Sequence, residues 1–374
     1  MSNEVTREQN IADAWASIGT AEGRPSSDLP PPLPSFADMT PPSFGSQVDG
    51  VTNQSLAQSL QEKGYHPVML FGSTRSGKSY LLASLFHYLQ NDPWSEAICL
   101  MGEWILPVNT AKGAKVADEA SKFFNHVVMD FNSGNPVPST HTEVPFFIPV
   151  ILRPNNGMPD IKLAFMESRG EDYHIKPDTV NFFPELKQDI LDVYRNYPLP
   201  ISLLVIAPYT LRDAYTEYAE PEDPGSEEFK FVDKSLFGAL QAYQANRVGF
   251  GSDHYLFVLT KWDVYTGGAS NPEFLEPPVG LVEKLITDRY TLAWNIFRGM
   301  RKTANSNTMQ YCAGLISGNH VYSVPEALKP KINRFPRALW DWMYINASGG
   351  KRLYGPKRSE STKGVFGWLK KILS

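Results

Sequence analysis

The sequence predicts an α/β fold built on a mainly parallel sheet with helices on both faces. Three observations carry that expectation. Apolar strand-like runs alternate with helix-like segments through the middle of the chain, the pattern of parallel-sheet proteins. Gly72-Ser73-Thr74-Arg75-Ser76-Gly77-Lys78-Ser79 is a complete G-x-x-x-x-G-K-[ST] loop. A second apolar run, Tyr255-Leu256-Phe257-Val258-Leu259, leads directly into Thr260-Lys261-Trp262-Asp263.

Taken in order, residues 1–54 read as a disordered tail. Seven prolines fall between Arg24 and Ser43, including Leu29-Pro30-Pro31-Pro32-Leu33-Pro34. Such a run favours an extended polyproline conformation, either as a protein-partner motif or as a plain linker. Residues 10–18 are a candidate short helix. The globular part is expected over 55–347. Pro67-Val68-Met69-Leu70-Phe71 is a short apolar strand. Leu81, Leu82, Leu85, Phe86 and Leu89 then recur at helical spacing, giving a helix over 78–90. Further strands are expected at 146–152, 161–166, 201–207, 255–260 and 311–316, and further helices at 185–195, 233–246, 279–299 and 336–345. Glu217, Glu220, Glu222, Asp223, Glu227 and Glu228, with Pro221, Pro224 and Gly225 among them, read as a solvated acidic loop. Residues 348–374 read as a basic linker and an amphipathic end. Residues 351–374 hold seven Lys/Arg and one acid, a local charge of +6 that leaves −11 on the rest. Val365, Phe366, Trp368, Leu369, Ile372 and Leu373 gather on one side if that end is helical. Two readings stand for 363–374: peripheral contact with an anionic membrane, or docking on the parent domain.

The chain has 374 residues, 42% of them hydrophobic, enough for one large domain or two modest ones. A net charge of −5 gives no general sign of nucleic-acid binding. Cys99 and Cys312 are the only cysteines, so no disulfide framework is indicated and a reducing, cytoplasmic setting is expected. The polar start, Met-Ser-Asn-Glu-Val-Thr-Arg-Glu, lacks a signal-peptide core, and no run of 18 apolar residues is present. The seven histidines show no metal-ligand spacing.

The loop's chemistry explains its residues. Its glycines let backbone N–H groups turn inward around phosphate oxygens. The helix starting near Lys78 points its positive end at the anion. Lys78 would reach the β- and γ-phosphates, and the Ser79 hydroxyl would coordinate Mg²⁺. A nucleoside triphosphate with magnesium is therefore the expected ligand. Downstream, a carboxylate at a strand end, Asp263, can accept two hydrogen bonds from guanine N1–H and its exocyclic amine. Adenine offers no such donor pair. The Lys261 stem can cover the base.

On these residues the chain resembles the P-loop GTPases, TRAFAC-type G domains with a three-layer P-loop NTPase sandwich. Their guanine motif is [NT]-K-x-D, matched by Thr260, Lys261 and Asp263. Ile161-Lys162-Leu163-Ala164-Phe165-Met166-Glu167-Ser168-Arg169-Gly170-Glu171 resembles the family's strand and D-x-x-G, with Glu167 where aspartate is usual. The resemblance implies that Glu167 serves Mg²⁺ through a water. It implies that Gly170 contacts the γ-phosphate, and that Glu171 stands where a water-orienting glutamine is common. It also implies a switch threonine before the strand 146–152, with Thr142 preferred to Thr140. The last base loop would be Ser317-Gly318-Asn319 or Tyr322-Ser323-Val324. Arg75 and Arg169 are candidates to neutralise transition-state charge. The resemblance spans about 64–325. The long gap from Ser79 to Glu167 implies an insertion or enlarged switch region, and the divergence is similar to that of bacterial conflict- or effector-system GTPases.

The expected activity is hydrolysis of GTP to GDP and phosphate by a molecular switch, with Lys78, Arg75 and Glu171 as catalytic candidates and turnover that Glu171 could make slow. Two alternatives remain open. One is a P-loop ATPase or kinase with a coincidental Thr260–Asp263 motif. The other is a non-hydrolysing pseudo-GTPase scaffold.

Overall fold

The computed structural model describes residues 55–91, 97–134, 145–168, 170, 184, 186–211, 225–300, 308–314 and 328–354. The Pro-rich tail, the candidate helix 10–18, the acidic residues 217–223 and the amphipathic end 363–374 lie outside them.

Seven strands form one mixed sheet. In chain order they are β1 (His66–Phe71), β2 (Ala97–Met101), β3 (Phe146–Pro154), β4 (Ile161–Glu167), β5 (Ser202–Pro208), β6 (His254–Thr260) and β7 (Thr308–Gln310). Their spatial order is β2-β3-β4-β1-β5-β6-β7. The pairings β4-β1, β1-β5, β5-β6 and β6-β7 are parallel, whereas β2-β3 and β3-β4 are antiparallel. The sheet is thus partly antiparallel, at the end where β3 turns back beside β4. Every residue of β5 is buried, as is nearly all of β1. Near-continuous apolar strands of this kind suit a sheet covered on both faces.

The strand register shows what covers each face. Phe71 pairs with Val205, and Val205 with Phe257, so all three point to one side. Phe165 pairs with Val68, three residues before Phe71, and so points to the other. On the first side, Phe71 meets Tyr194 and Tyr243, from α5 (Gln188–Asn196) and α6 (Glu227–Asn246). On the same side Phe257 meets Trp294 and Phe297 of α9 (Thr291–Met300). On the second side Phe165 lies edge-on to Phe86 of α2 (Lys78–Asn91) and Trp340 of α11 (Arg334–Ala347), with ring centroids 5.7 Å away in each case. Edge-to-face pairs of this type contribute roughly 0.5–1.5 kcal/mol each beyond their buried area. No helix among the described residues is long and apolar enough to cross a membrane.

Several elements differ from the sequence expectation for identifiable reasons. The helix expected over 279–299 is two: α8 (Leu281–Arg289) and α9. Tyr290 leaves helical geometry, with φ −128° and ψ 50°, and its hydroxyl donates to the Pro208 carbonyl. Asp233 then caps α9, accepting from Leu292 N and Ala293 N at 2.9 Å each. Helix α6 starts six residues earlier than expected, because Ser226 accepts from Phe229 N and Glu227 and Glu228 fall in the first turn. An acidic first turn faces the positive end of the helix dipole. The last strand is 308–310 rather than 311–316, so the backbone leaves the ladder before the apolar run is used. The stretch between Ser79 and Glu167 supplies β2, α3 (Ala111–Phe123), a π-helical turn at Phe124–Val128 and α4 (Met129–Asn132). Also unanticipated were α1 (Leu56–Glu62) and α7 (Trp262–Thr266). A short helix α10 (Lys329–Ile332) precedes α11. The packed body includes Leu353 and Tyr354, both buried. Leu353 N donates to Asp341, and Asn156 donates to the Leu353 carbonyl.

The strand starts carry two polar clusters. Arg247 and Asp253 form a fully buried ion pair, two-pronged at 2.9 Å on both prongs. Asp253 also accepts from Ile201 N and the Tyr243 hydroxyl, and Arg247 also donates to the Tyr197 and Leu199 carbonyls. Nearby, His66 Nε2 lies 2.9 Å from Ser202 Oγ, and the His66 and His254 rings sit 6.2 Å apart. Burial, then the His254 charge, holds His66 down to about 3, and burial lowers His254 as well. Unfolding frees both imidazoles to take protons near their usual value of about 6.5. The unfolded state therefore binds more protons below that pH, and the stability these histidines contribute is lost as pH falls from about 6.5 toward 3. Urea unfolding of His66→Gln should show a shallower loss between pH 6.5 and 4 than the parent, by up to about 1.4 kcal/mol per pH unit. Equal slopes would mean that His66 is not held neutral by the fold.

Candidate functional site

Strands β1, β4, β5 and β6 are parallel across their three shared pairings, so their C-terminal ends share one edge of the sheet. The chain lays β4 on one side of β1 and β5 on the other. In open α/β sheets, the crevice beyond the strand ends at such a reversal is where ligands bind. The glycine-rich loop leaves β1 at that point.

The loop's residues are held by steric need. A Cβ on Gly72 would stand 2.5 Å from Ser76 Oγ and 2.9 Å from the Ile206 carbonyl, and Gly77 has φ +89°. Among the described residues only two non-glycines have positive φ: Arg75 at 64° and Lys261 at 56°. Both lie in the two motifs the sequence singled out, and backbone strain of this kind concentrates at functional sites. Lys78 opens α2 and is almost wholly buried, its ammonium donating to the Gly72 carbonyl at 2.7 Å and the Ser73 carbonyl at 3.2 Å. The hydroxyls of Ser73 and Ser76 are buried without a hydrogen-bond partner among the described residues. Buried polar atoms in that condition are costly unless a ligand or water meets them. Thr74 and Arg75 are exposed and Ser79 is half-buried.

Glu167 ends β4 and is fully buried. It lies two residues after Phe165 and so points to the sheet face that α2 covers, the helix that begins Lys78-Ser79. Gly170 packs on the loop itself. A Cβ there would stand 2.2 Å from Thr74 N and 2.6 Å from the Ser73 carbonyl carbon. The chain after β4 thus touches the loop backbone at Gly170, and only glycine allows it.

The Thr260–Asp263 motif joins the same site from the other side. Thr260 Oγ1 donates to the Ser76 carbonyl at 2.6 Å, tying the end of β6 to the loop. Trp262 is core: it is buried, its indole N–H donates to the Phe274 carbonyl at 3.0 Å, and its ring stacks on Tyr265. Asp263 is buried and burial pushes its carboxyl up to about 6, against the opposing pull of its own backbone N–H, the Cys312 thiol and Lys261.

Sequence reasoning missed the segment that completes this side. Cys312 lies against Asp263, and Tyr311 bridges the motif to the sheet, accepting from Trp262 N and donating its N–H to the Leu259 carbonyl. The signal was the small-residue series Cys312-Ala313-Gly314 directly after the strand, overlooked because the strand was expected to run through it. Of the remaining candidates, Thr140, Thr142, Arg169, Glu171, Ser317-Gly318-Asn319 and Tyr322-Ser323-Val324 lie outside the described residues.

No family model matches this sequence, and no curated protein matches it. Among solved structures it is similar to the GTPase-like domain of Ski7 from S. cerevisiae, crystallised bound to GTP. The TM-score is 0.33 and the identity 11%, over 70% of this chain and 46% of that one. This chain therefore spans less than half the length of that domain's chain, and a likeness of this size supports no conclusion about ligand or activity.

Proposed function

We propose that this chain is a guanine-nucleotide-binding protein with a P-loop NTPase architecture, which hydrolyses GTP to GDP and phosphate as a molecular switch. The observation that carries the proposal is the 2.6 Å bond from Thr260 to the Ser76 carbonyl. It couples a base-reading sequence to a phosphate-binding sequence, although 184 residues separate them. The cradle of loop amides and the Lys78 ammonium suits the phosphates. The Asp263 carboxylate suits the two guanine donors, and Lys261, in its left-handed conformation, opens α7 beside it. Gly170, whose Cα lies against the Ser73 and Thr74 backbone, would sense the terminal phosphate and shift when it leaves.

Magnesium fits this donor set. The Ser79 hydroxyl and the Glu167 carboxylate, carried by neighbouring elements on one sheet face, would hold it together with phosphate oxygens and waters. Bound there, it would neutralise charge developing on the transferred phosphoryl group. Glu167 is one methylene longer than aspartate, which suits contact through a water or a slightly shifted ion.

Titration of the purified chain with GTP, GDP and ATP in Mg²⁺, with phosphate release followed in the same samples, tests the proposal. Guanine nucleotides should bind in preference to ATP, and Lys78→Ala should weaken GTP by about 100-fold or more, the effect of removing a buried charge-assisted contact to phosphate. Equal affinity for ATP would point to an ATPase or kinase, and binding without phosphate release would point to a scaffold.

A further inference from the structure

The strained backbone that opens α7 needs a holder. Lys261 lies at φ 56° and ψ 39° although it is not glycine. Such a conformation persists only where its surroundings over-determine it. The peptide before Lys261 is held by the Thr260 carbonyl, which accepts from Tyr209 N at 2.9 Å. Tyr209 directly follows β5, so this bond closes the end of β5 onto the end of β6.

Two consecutive residues at the α8–α9 break grip that end in turn. The Tyr290 hydroxyl donates to the Pro208 carbonyl, and Arg289 Nε donates to the Tyr209 carbonyl at 3.2 Å. The Arg289 guanidinium also lies 4.2 Å from the centre of the Tyr209 ring, within cation–π range. The Tyr209 ring meets Tyr265 edge-on at 5.2 Å, and Tyr265 stacks on Trp262 at 4.8 Å. Trp262 and Tyr265 belong to α7, the helix that carries Asp263. One route from Arg289 therefore runs through backbone to the residue before Lys261, and the other through rings to the residues after it. We propose that Arg289 positions the base-reading motif: through Tyr209 it fixes the Thr260–Lys261 peptide and α7, and so the direction of the Asp263 carboxylate. It is a positioning residue, acting through Tyr209 rather than on the nucleotide. Its effect on affinity rests on the guanine reading, whereas its effect on the backbone does not.

Two measurements on the full chain compare Arg289→Ala and Arg289→Lys with the parent. Amide hydrogen exchange without nucleotide reads the motif directly, and Arg289→Ala should lower protection over 260–267 by about tenfold while leaving 72–79 unchanged. In competition with Mg²⁺ present, Arg289→Ala should lose GTP affinity by about tenfold and keep the parent's ATP affinity, as when one hydrogen bond to the base is misaligned. Arg289→Lys keeps a cation near the ring without the planar guanidinium, and should fall between the two. Melting checks that the variants are folded. Unchanged protection over 260–267 overturns the proposal, and so does an unchanged ratio of GTP to ATP affinity in a parent that prefers guanine. If the parent shows no such preference but Arg289→Ala still loosens 260–267, the guanine reading fails and the positioning of α7 by Arg289 stands.

Discussion

Gly170→Ala should lower nucleotide turnover by about 100-fold, the usual cost of a displacement near 1 Å at a reacting centre. The added methyl would meet Thr74 N at 2.2 Å and the Ser73 carbonyl carbon at 2.6 Å. These are backbone atoms of a loop held by Lys78, by the Ser76 N to Ser73 carbonyl bond, and by Thr260. No side chain can swing aside, so either the loop or the segment after β4 must move. Gly299 provides the control. It lies in α9 with ordinary backbone geometry and nothing within 4 Å of its would-be Cβ. Gly299→Ala should leave turnover unchanged and raise stability by up to about 1 kcal/mol through helix propensity. Single-turnover phosphate release on both variants, with melting as a check, measures this. If Gly170→Ala turned over like the parent, Gly170 would have no part in the site.

Arg247→Ala should have the largest effect on stability, about 3–5 kcal/mol, because it strands a buried carboxylate. Arg247 and Asp253 are both fully buried, and the guanidinium satisfies Asp253 and two backbone carbonyls at once. Removing it leaves Asp253 with the Tyr243 hydroxyl and Ile201 N alone, and the Tyr197 and Leu199 carbonyls lose their donor. For a body of this size that corresponds to a fall in melting temperature of roughly 5–10 °C. Arg247→Met with Asp253→Asn should recover part of the loss, since no net charge is then buried unpaired. A double variant as unstable as Arg247→Ala would place the cost in the lost packing rather than the stranded charge. The cluster lies at the strand starts, opposite the candidate site, so folded Arg247→Ala should keep the parent's nucleotide affinity.

What the sequence made legible was what it encodes locally. The loop after β1 is a contiguous signature with glycine at the positions where a Cβ would collide, and the observed β1 and α2 begin and end within a residue of expectation. Strands β3 to β6 were legible because each is a long apolar run. The rest depends on distant partners. The break at Tyr290 is made by Pro208, 82 residues from Tyr290, and by Asp233, 59 residues from the Leu292 amide that it caps. Strand β2 is short and alternates with half-exposed positions, so it lacks a strong apolar signature. At β7 the mixed run Thr308, Met309 and Gln310 takes the ladder, whereas Tyr311 and Cys312 are buried beyond it, Cys312 beside Asp263. The junction of Thr260 with Ser76 is invisible to periodicity, though both partners stood in recognisable motifs.

The base preference of Asp263→Asn, measured at pH 7.5 in Mg²⁺ by competition among GTP, XTP and ATP, tests the central claim most directly. At that pH the parent carboxyl, raised to about 6, is ionised and can accept both guanine donors. The account predicts that Asp263→Asn loses GTP affinity on the order of 100-fold, two charge-assisted hydrogen bonds being at stake, and gains preference for XTP. Undiminished GTP affinity, or no shift toward XTP, would contradict the assignment of Asp263 as the residue that reads the base.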